Sequence, residues 1–207
     1  MIPVRWLILC AAAAVLPAAA EQFTVRYPSG QIRKQYQAIQ SKLSGEWVLH
    51  GTCAAWHEDG TKWYQGEYVN GKAEGIFTSW HPSGAIEQQG VYRNGRKEGV
   101  WTVWDANGIK AQGPMSKGVP HGMWTYWYAN GQMKKQGQMI NGLPDGIWSS
   151  WYENGLIEAV VVRGKGKLNG ACTWWYENGR KKMECEYVAG RAESTSYTLW
   201  FPDGTVL

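Results

Sequence analysis

Apolar and polar positions follow a pattern that repeats about every 24 residues along this chain. Each repeat opens with six or seven positions rich in aromatic and β-branched residues, such as 122–128, which is typical of a β-strand. An Asn-Gly pair follows, and a more polar stretch from Gln132 to about Ile140 predicts a second strand. The pair Asn141-Gly142 then predicts another turn. Two strands and two turns per unit predict an all-β fold, a continuous antiparallel meander.

A tryptophan lies near the end of the first strand in each unit, and a glycine follows it four residues later. The tryptophans are Trp56, Trp80, Trp104, Trp127, Trp151, Trp175 and Trp200, spaced 23 to 25 residues apart. A fixed period of this length predicts an elongated stack of about seven β-hairpin repeats. Such an architecture usually offers a long surface rather than a single catalytic pocket.

Residues three positions apart in a strand point to opposite faces of the sheet, and this assigns the two faces. The first face carries Ile76, Val100, Met123 and Ile147 with the repeating tryptophans, and we expect it to be buried. The second face carries another row of rings, and we expect it to stay open to a partner. Its candidate binding residues are Trp101, Trp124, Tyr128, Trp148, Tyr152 and Tyr176.

Turn positions also predict the cross-strand register. A two-residue turn at Asn178-Gly179 places Cys172 opposite Cys185, close enough for a disulfide, with two reduced thiols as the alternative. In other units the same rule pairs a residue of the first strand with a glycine, so that a ring can cover bare backbone. The predicted pairs are Phe77 with Gly90, Trp124 with Gly137, and Cys53 with Gly66.

Two segments depart from the regular pattern. The third unit is one residue short before Pro114, which predicts a bulge or a sheet edge at that point. In residues 31–43, apolar residues at Ile32, Tyr36, Ile39 and Leu43 fit helical spacing. A short N-terminal capping helix is therefore expected, and the alternative is a degenerate first repeat with an insertion.

The two halves of the repeating unit are clearest in Gly146-Ile-Trp-Ser-Ser-Trp-Tyr-Glu-Asn-Gly155 and in Gly66-Glu-Tyr-Val-Asn-Gly-Lys72. These residues resemble the MORN repeat, in the variant form common in bacterial proteins, some of which are labelled antitoxins. The resemblance covers about residues 44 to 207. It implies stacked β-hairpins in a twisted sheet, used for protein–protein scaffolding and in some members for lipid binding. Cys53 and Cys172 depart from the motif because they replace an aromatic residue.

The first 20 residues differ in composition from the rest. A basic start, an apolar run from Trp6 to Leu16 and small residues at Ala18 and Ala20 fit a cleaved signal peptide, with an uncleaved membrane anchor as the alternative. The expected organisation is a signal peptide (1–20), an N-terminal cap or degenerate repeat (21–43) and a MORN-like repeat domain (44–207). This predicts an exported protein, periplasmic or secreted, without a transmembrane span after cleavage.

The remaining residues give little indication of catalysis. No nucleophile elbow, phosphate loop or zinc motif is present, so we expect a non-enzyme with no cofactor and no metal site. The net charge of +4 is too mild for a nucleic-acid-binding protein. Basic residues cluster near the C-terminus and could meet an anionic lipid or polymer, although a solvated strand face is the simpler interpretation. They are Arg163, Lys165, Lys167, Arg180, Lys181 and Lys182.

These observations favour an exported interaction scaffold in the cell envelope that binds a protein partner of unknown identity. The alternative is a module that binds a cell-wall polysaccharide or an anionic lipid. The string from Trp127 to Met133 is similar to choline-binding wall repeats, but their shorter period argues against that assignment.

Overall fold

The computed structural model describes residues 19–193 and 197–207, and all regular elements in them are β-strands. Residues 1–18, which hold most of the predicted signal peptide, lie outside the described residues. The strands are β1 (Glu21–Arg26), β2 (Ile32–Gln40), β3 (Trp47–Trp56), β4 (Lys62–Val69), β5 (Lys72–Trp80), β6 (Ile86–Arg93), β7 (Arg96–Asp105), β8 (Gly108–Ser116), β9 (Val119–Pro120), β10 (Gly122–Trp127), β11 (Met133–Ile140), β12 (Leu143–Trp151), β13 (Ile157–Gly164), β14 (Lys167–Trp175), β15 (Lys181–Val188), β16 (Arg191–Ala192) and β17 (Thr198–Leu199).

The strands form one antiparallel sheet in which chain neighbours pair. β1 to β8 follow each other in order, β10 to β15 do the same, and β10 joins the two series by pairing with β8. The short strands β9, β16 and β17 pair with β8 or β15. The predicted all-β meander of stacked hairpins is therefore confirmed.

The predicted register is also confirmed. All four proposed cross-strand pairs occur: Phe77 with Gly90, Trp124 with Gly137, Cys53 with Gly66, and Cys172 with Cys185. A one-residue shift precedes the closing tryptophan of each of these hairpins, for example between Trp174 and Trp175. The bulge lets a wider turn follow without changing the register of the rest of the strand.

Two kinds of turn alternate along the chain. Asn70, Asn94 and Asn141 lie in tight two-residue turns in which both residues have positive φ, as type I′ geometry requires. In the wider turns, such as Tyr128 to Gly131, only the glycine has positive φ. The predicted two-residue turn at Asn178-Gly179 was wrong, because these residues belong to a wide turn from Tyr176 to Gly179. Asn169-Gly170 forms no turn and lies inside strand β14.

The expected capping helix in residues 31–43 is absent, because residues 32–40 form strand β2 with backbone partners on both sides. The degenerate-repeat alternative fits the structure. The Tyr27 hydroxyl donates to the Trp56 carbonyl at 3.0 Å, a contact that later units repeat. A longer connection between Gln40 and Trp47 replaces the usual tight turn.

Pro114 lies inside the sheet, because its strand β8 pairs with β7 on one side and with β10 on the other. The predicted bulge is the correct alternative and the predicted edge is wrong. Register shifts occur at the corresponding point of other units, for instance between Gln89 and Val91 and between Gly137 and Gln138. A residue without an N–H fits this site because the ladder is already interrupted there.

The predicted burial of the two faces is reversed. Trp101, Trp124 and Trp148 keep only 3% to 8% of their surface exposed, so the face that carries them, here called the ring face, holds the core. The opposite face of the sheet, here called the ladder face, carries Ile76, Val100, Met123 and Ile147, which are 54% to 65% exposed. The rings are buried because each lies over a glycine, where no side chain holds it away from the sheet.

Candidate interaction surfaces

The tryptophans of the predicted binding row are packing residues. A Cβ added to Gly137 would meet the Trp148 ring at 2.2 Å, so this ring lies directly on the backbone of the preceding unit. The Trp148 Nε1–H donates to the Gln138 carbonyl at 3.0 Å, and Trp101 and Trp124 make the equivalent bonds to Val91 and Pro114. Both the ring surface and the polar tip are thus used inside the protein.

The sequence prediction placed each ring over the glycine of its own hairpin. In the structure the ring instead lies over the glycine of the unit before it. The observed contacts are Phe77 over Gly66, Trp101 over Gly90, Trp124 over Gly113, and Trp148 over Gly137. Each ring therefore joins two neighbouring units.

The tyrosines of the predicted row also connect units. Each lies in a wide turn, and its hydroxyl donates to the backbone carbonyl of the next repeating tryptophan. The bonds are Tyr128 to Trp151 at 2.9 Å, Tyr152 to Trp175 at 2.7 Å, and Tyr176 to Trp200 at 2.8 Å. The His81 Nε2 atom lies 3.2 Å from the Trp104 carbonyl in the same way. His57 occupies the equivalent position, but its buried Nε2 has no hydrogen-bond partner.

The ladder face carries the most exposed apolar residues that recur from unit to unit. Ile76, Val100, Met123 and Ile147, here called the exposed apolar row, occupy one strand position in four successive units. Equivalent strands lie two strand spacings, or about 10 Å, apart, so the row crosses much of the sheet. The sequence pattern did place these residues on one face, but it assigned that face to the core.

A polar ladder runs beside the exposed apolar row. The amides of Gln89, Gln112 and Gln136 donate to the hydroxyls of Thr78, Thr102 and Thr125 at 2.8 to 2.9 Å. Each bond crosses one hairpin and holds both side chains flat against the sheet. The ladder face therefore presents protruding apolar side chains next to polar groups that are already hydrogen-bonded.

The predicted Cys172–Cys185 disulfide is not formed, although the two residues lie opposite each other. Cys53, Cys172 and Cys185 are buried free thiols, and burial raises the pKa of the Cys172 and Cys185 thiols. The Cys172 Sγ–H donates to the Gly170 carbonyl at 3.6 Å. Cys53 is only 1% exposed, as expected of a residue whose role is packing.

The C-terminal basic residues do not converge on one site. Arg163 donates to the Gly166 carbonyl, Arg180 donates to the Asp203 carbonyl, and Lys181 pairs with Glu184. Lys165 and Lys167 remain exposed beside a tight turn. Three of these basic side chains therefore make contacts within the chain and do not form a common binding site.

A hollow of about 300 Å³ on the ring face was missed by sequence reasoning. Six rings line it together with the carboxylate of Glu87 and the amide of Gln88; we call it the aromatic hollow. The rings are Trp63, Tyr64, Tyr68, Phe77, Tyr92 and Trp101. The recurring Gly-x-Tyr motif, as in Gly66-Glu-Tyr68, was the available signal for it.

Neighbouring rings in the aromatic hollow stand close to perpendicular. The centroids of Tyr68 and Phe77 lie 5.5 Å apart at 78°, and those of Tyr92 and Trp101 lie 5.2 Å apart at 90°. Burial raises the pKa of the Tyr64, Tyr68 and Tyr92 hydroxyls, which keeps them neutral.

A second hollow of about 420 Å³ lies further along the ring face, beside Tyr126 and Trp148. Its charged lining is mainly basic, with Lys134, Lys135 and Arg163 against one carboxylate, Glu158. Both hollows therefore have aromatic residues in their walls, but their charged residues differ in predominant sign.

Within residues 19–193 and 197–207, no helix is present that could cross a membrane. In the same residues no group of three or more histidine, cysteine or acidic side chains is arranged to hold a metal ion.

A comparison with protein families finds the MORN repeat variant in three places. The matched residues are 73–94, 120–141 and 168–189, which correspond to the hairpins β5–β6, β10–β11 and β14–β15. No curated protein matches the chain. The units between the three matches have the same antiparallel pairing and the same alternation of wide and tight turns. The chain therefore carries the MORN repeat variant in three of its hairpins, within one continuous sheet of similar hairpins.

Proposed function

We propose that this chain is a non-enzymatic, exported interaction scaffold of the cell envelope, which binds a protein partner through its ladder face. The observation that carries the proposal is the exposed apolar row, four aliphatic or thioether side chains that are more than half exposed at one position of successive units. Contiguous apolar surface of this kind is typical of protein interaction sites.

The chemistry of the ladder face favours a protein over a polysaccharide. Sugars stack on accessible aromatic faces, whereas the exposed apolar row is made of isoleucine, valine and methionine. The tryptophans of the predicted binding row are not available for such stacking because they are used in packing, as Trp101 and Trp124 illustrate. The Gln–Thr ladder leaves few free polar groups, so a partner meets apolar side chains without having to satisfy buried donors.

The test is capture of the partner by crosslinking in living cells, followed by comparison of two variants. One replaces Ile76, Val100, Met123 and Ile147 with serine, and we expect it to lose the captured protein. The matched control replaces Val69, Val119 and Leu143, exposed apolar residues beside the tight turns, with serine. It should capture the partner protein as well as the original chain does. Equal capture by both variants would overturn the assignment to the ladder face.

Export has a separate test. Fusion of residues 1–20 to a reporter protein should carry the reporter out of the cytoplasm and remove the segment at Ala20. Retention of an uncleaved reporter in the cytoplasm would contradict the exported location.

A further inference from the structure

The aromatic hollow lies on the ring face, opposite the exposed apolar row, so it is independent of the proposed scaffold surface. Its lining includes six rings and only one charged residue among the described residues, Glu87. A concave site with an aromatic lining and a few convergent polar groups is the usual form of a small-molecule site.

The rings supply a negative electrostatic surface. The face of an aromatic ring attracts a cation, and several rings set at large angles can surround one. Phe77 and Tyr92 lie 4.7 Å apart at 64°, next to the near-perpendicular pairs described above. Because the tyrosine hydroxyls stay neutral, the rings keep this character without adding charge of their own.

The carboxylate of Glu87 is held in place at the wall of the hollow. Its Oε2 atom accepts a hydrogen bond from the Ser79 hydroxyl at 2.8 Å, and Ser79 also lines the hollow. A fixed anion beside several ring faces is complementary to a cation whose apolar substituents can contact those faces.

The chain already places one of its own ammonium groups against this ring system. The Lys97 Nζ atom lies 3.9 Å from the centroid of a Trp101 ring and donates to the Gln88 Oε1 atom at 2.9 Å. Burial lowers the pKa of Lys97, while the charge of Glu87 opposes that shift. Lys97 and Glu87 therefore interact, and Lys97 partly neutralises the carboxylate of the hollow.

We propose that the aromatic hollow binds a small organic cation that carries a methylated ammonium group. The rings contact the methyl groups, and Glu87 balances the charge. The second hollow serves as an internal comparison, because it has aromatic walls but a mainly basic charge and should reject the same cation.

The test is isothermal titration of the whole chain with tetramethylammonium and with choline, alongside the uncharged tert-butyl analogue of choline. We expect saturable binding of both cations and at least fivefold weaker binding of the analogue, which has the same shape without the charge. No saturable binding of either cation, or equal binding of the analogue, would overturn the proposal.

Four variants identify the site. Glu87→Gln should weaken binding of tetramethylammonium about fivefold, which corresponds to loss of a partly exposed ion pair. Tyr92→Leu should abolish binding while Tyr92→Phe retains it, since the ring and not the hydroxyl is required. Lys97→Met should tighten binding, a gain that misfolding could not produce.

The matched control is Glu158→Gln, which removes the carboxylate of the second hollow and should leave binding unchanged. An unchanged affinity in Glu87→Gln, or a loss in Glu158→Gln equal to that in Glu87→Gln, would show that the aromatic hollow is not the site.

Discussion

The side chains that face each other between units are matched in size. Where the ring-face position is large, the facing residue in the preceding strand is glycine, and where it is cysteine, the facing residue is large. The pairs are Tyr36/Cys53, Gly66/Phe77, Gly90/Trp101, Gly113/Trp124, Gly137/Trp148 and Val161/Cys172. The cysteines thus occupy positions where only a small side chain fits, which accounts for their burial without a covalent bond.

This matching predicts coupling between Gly137 and Trp148. Gly137→Val alone should destabilise by about 3 kcal/mol, because its Cβ would overlap the indole ring. Trp148→Cys alone should cost about 4 kcal/mol through the cavity that it leaves. Together they recreate the Val161/Cys172 arrangement, so the double variant should be about 1 to 3 kcal/mol more stable than the sum of the two effects.

Urea unfolding of the four proteins in this cycle gives the coupling free energy. The control cycle combines Gly137→Val with Trp101→Cys, whose ring lies on Gly90 and whose strand β7 is separated from β11 by β8 and β10, and should be additive. Additive effects in both cycles would show that size matching across the strands does not determine stability.

A second prediction at this scale concerns His57, whose buried Nε2 has no partner. His57→Tyr should stabilise the protein by about 1 kcal/mol, because a tyrosine hydroxyl at this position reaches the next tryptophan carbonyl in four other units. The measurement is the free energy of unfolding in urea. His81→Tyr is the control and should change little, since His81 already makes the contact; equal effects of the two substitutions would refute the explanation.

The two kinds of turn set the conformation that each strand connection requires. In tight turns, Lys117, Lys165 and Ala189 have positive φ like the asparagines at the same position, although their side chains disfavour it. In wide turns the residue before the glycine has an ordinary φ. Its side chain is used differently: the Asn130 Nδ2–H donates to the Glu153 carbonyl at 3.1 Å.

This difference in φ predicts that an alanine-to-asparagine substitution stabilises a tight turn but not a wide turn. Ala189→Asn should stabilise by up to about 1 kcal/mol, because asparagine tolerates positive φ better than alanine. Ala129→Asn, in a wide turn with ordinary φ, should give no gain. Thermal unfolding of both variants checks this, and a gain at Ala129 as large as that at Ala189 would contradict the assignment of the turns.

Strand pairing was predictable from the sequence and face burial was not, for a physical reason. The register depends on local signals, the turn residues and the alternation that follows them. Burial of Trp148 depends on Gly137 of the preceding unit, which is a contact between units and not within a hairpin. Counting apolar residues on one hairpin therefore favoured Ile147, which projects into solvent.

Across the whole molecule, each unit contacts mainly its neighbours, through backbone pairing, a ring on glycine and a tyrosine on a carbonyl. The aromatic hollow is a product of this stacking, since its rings come from β4, β5, β6 and β7. No single repeat motif contains it, and this is why the sequence pattern did not indicate it. Stability in such an array is close to a sum of unit and interface contributions.

That additivity predicts that one complete unit can be removed. Deleting residues 122–145 joins His121 to Gly146, which stands at the position of Gly122 in the next unit. Trp148 then takes the place of Trp124, and its ring meets Gly113, the glycine that Trp124 covers in the intact chain. We expect a folded protein that unfolds cooperatively in urea, with an m-value lowered in proportion to the surface lost.

The matched control deletes residues 122–133, half a unit with one strand and one wide turn. This deletion joins His121 to Lys134 and brings β11 against β8, so that two second strands follow each other and the ring over Gly113 is lost. Circular dichroism and urea unfolding should then show loss of the cooperative transition. If the two deletions have the same effect, or if the full-unit deletion is the more damaging, the fold is held together by contacts beyond neighbouring units.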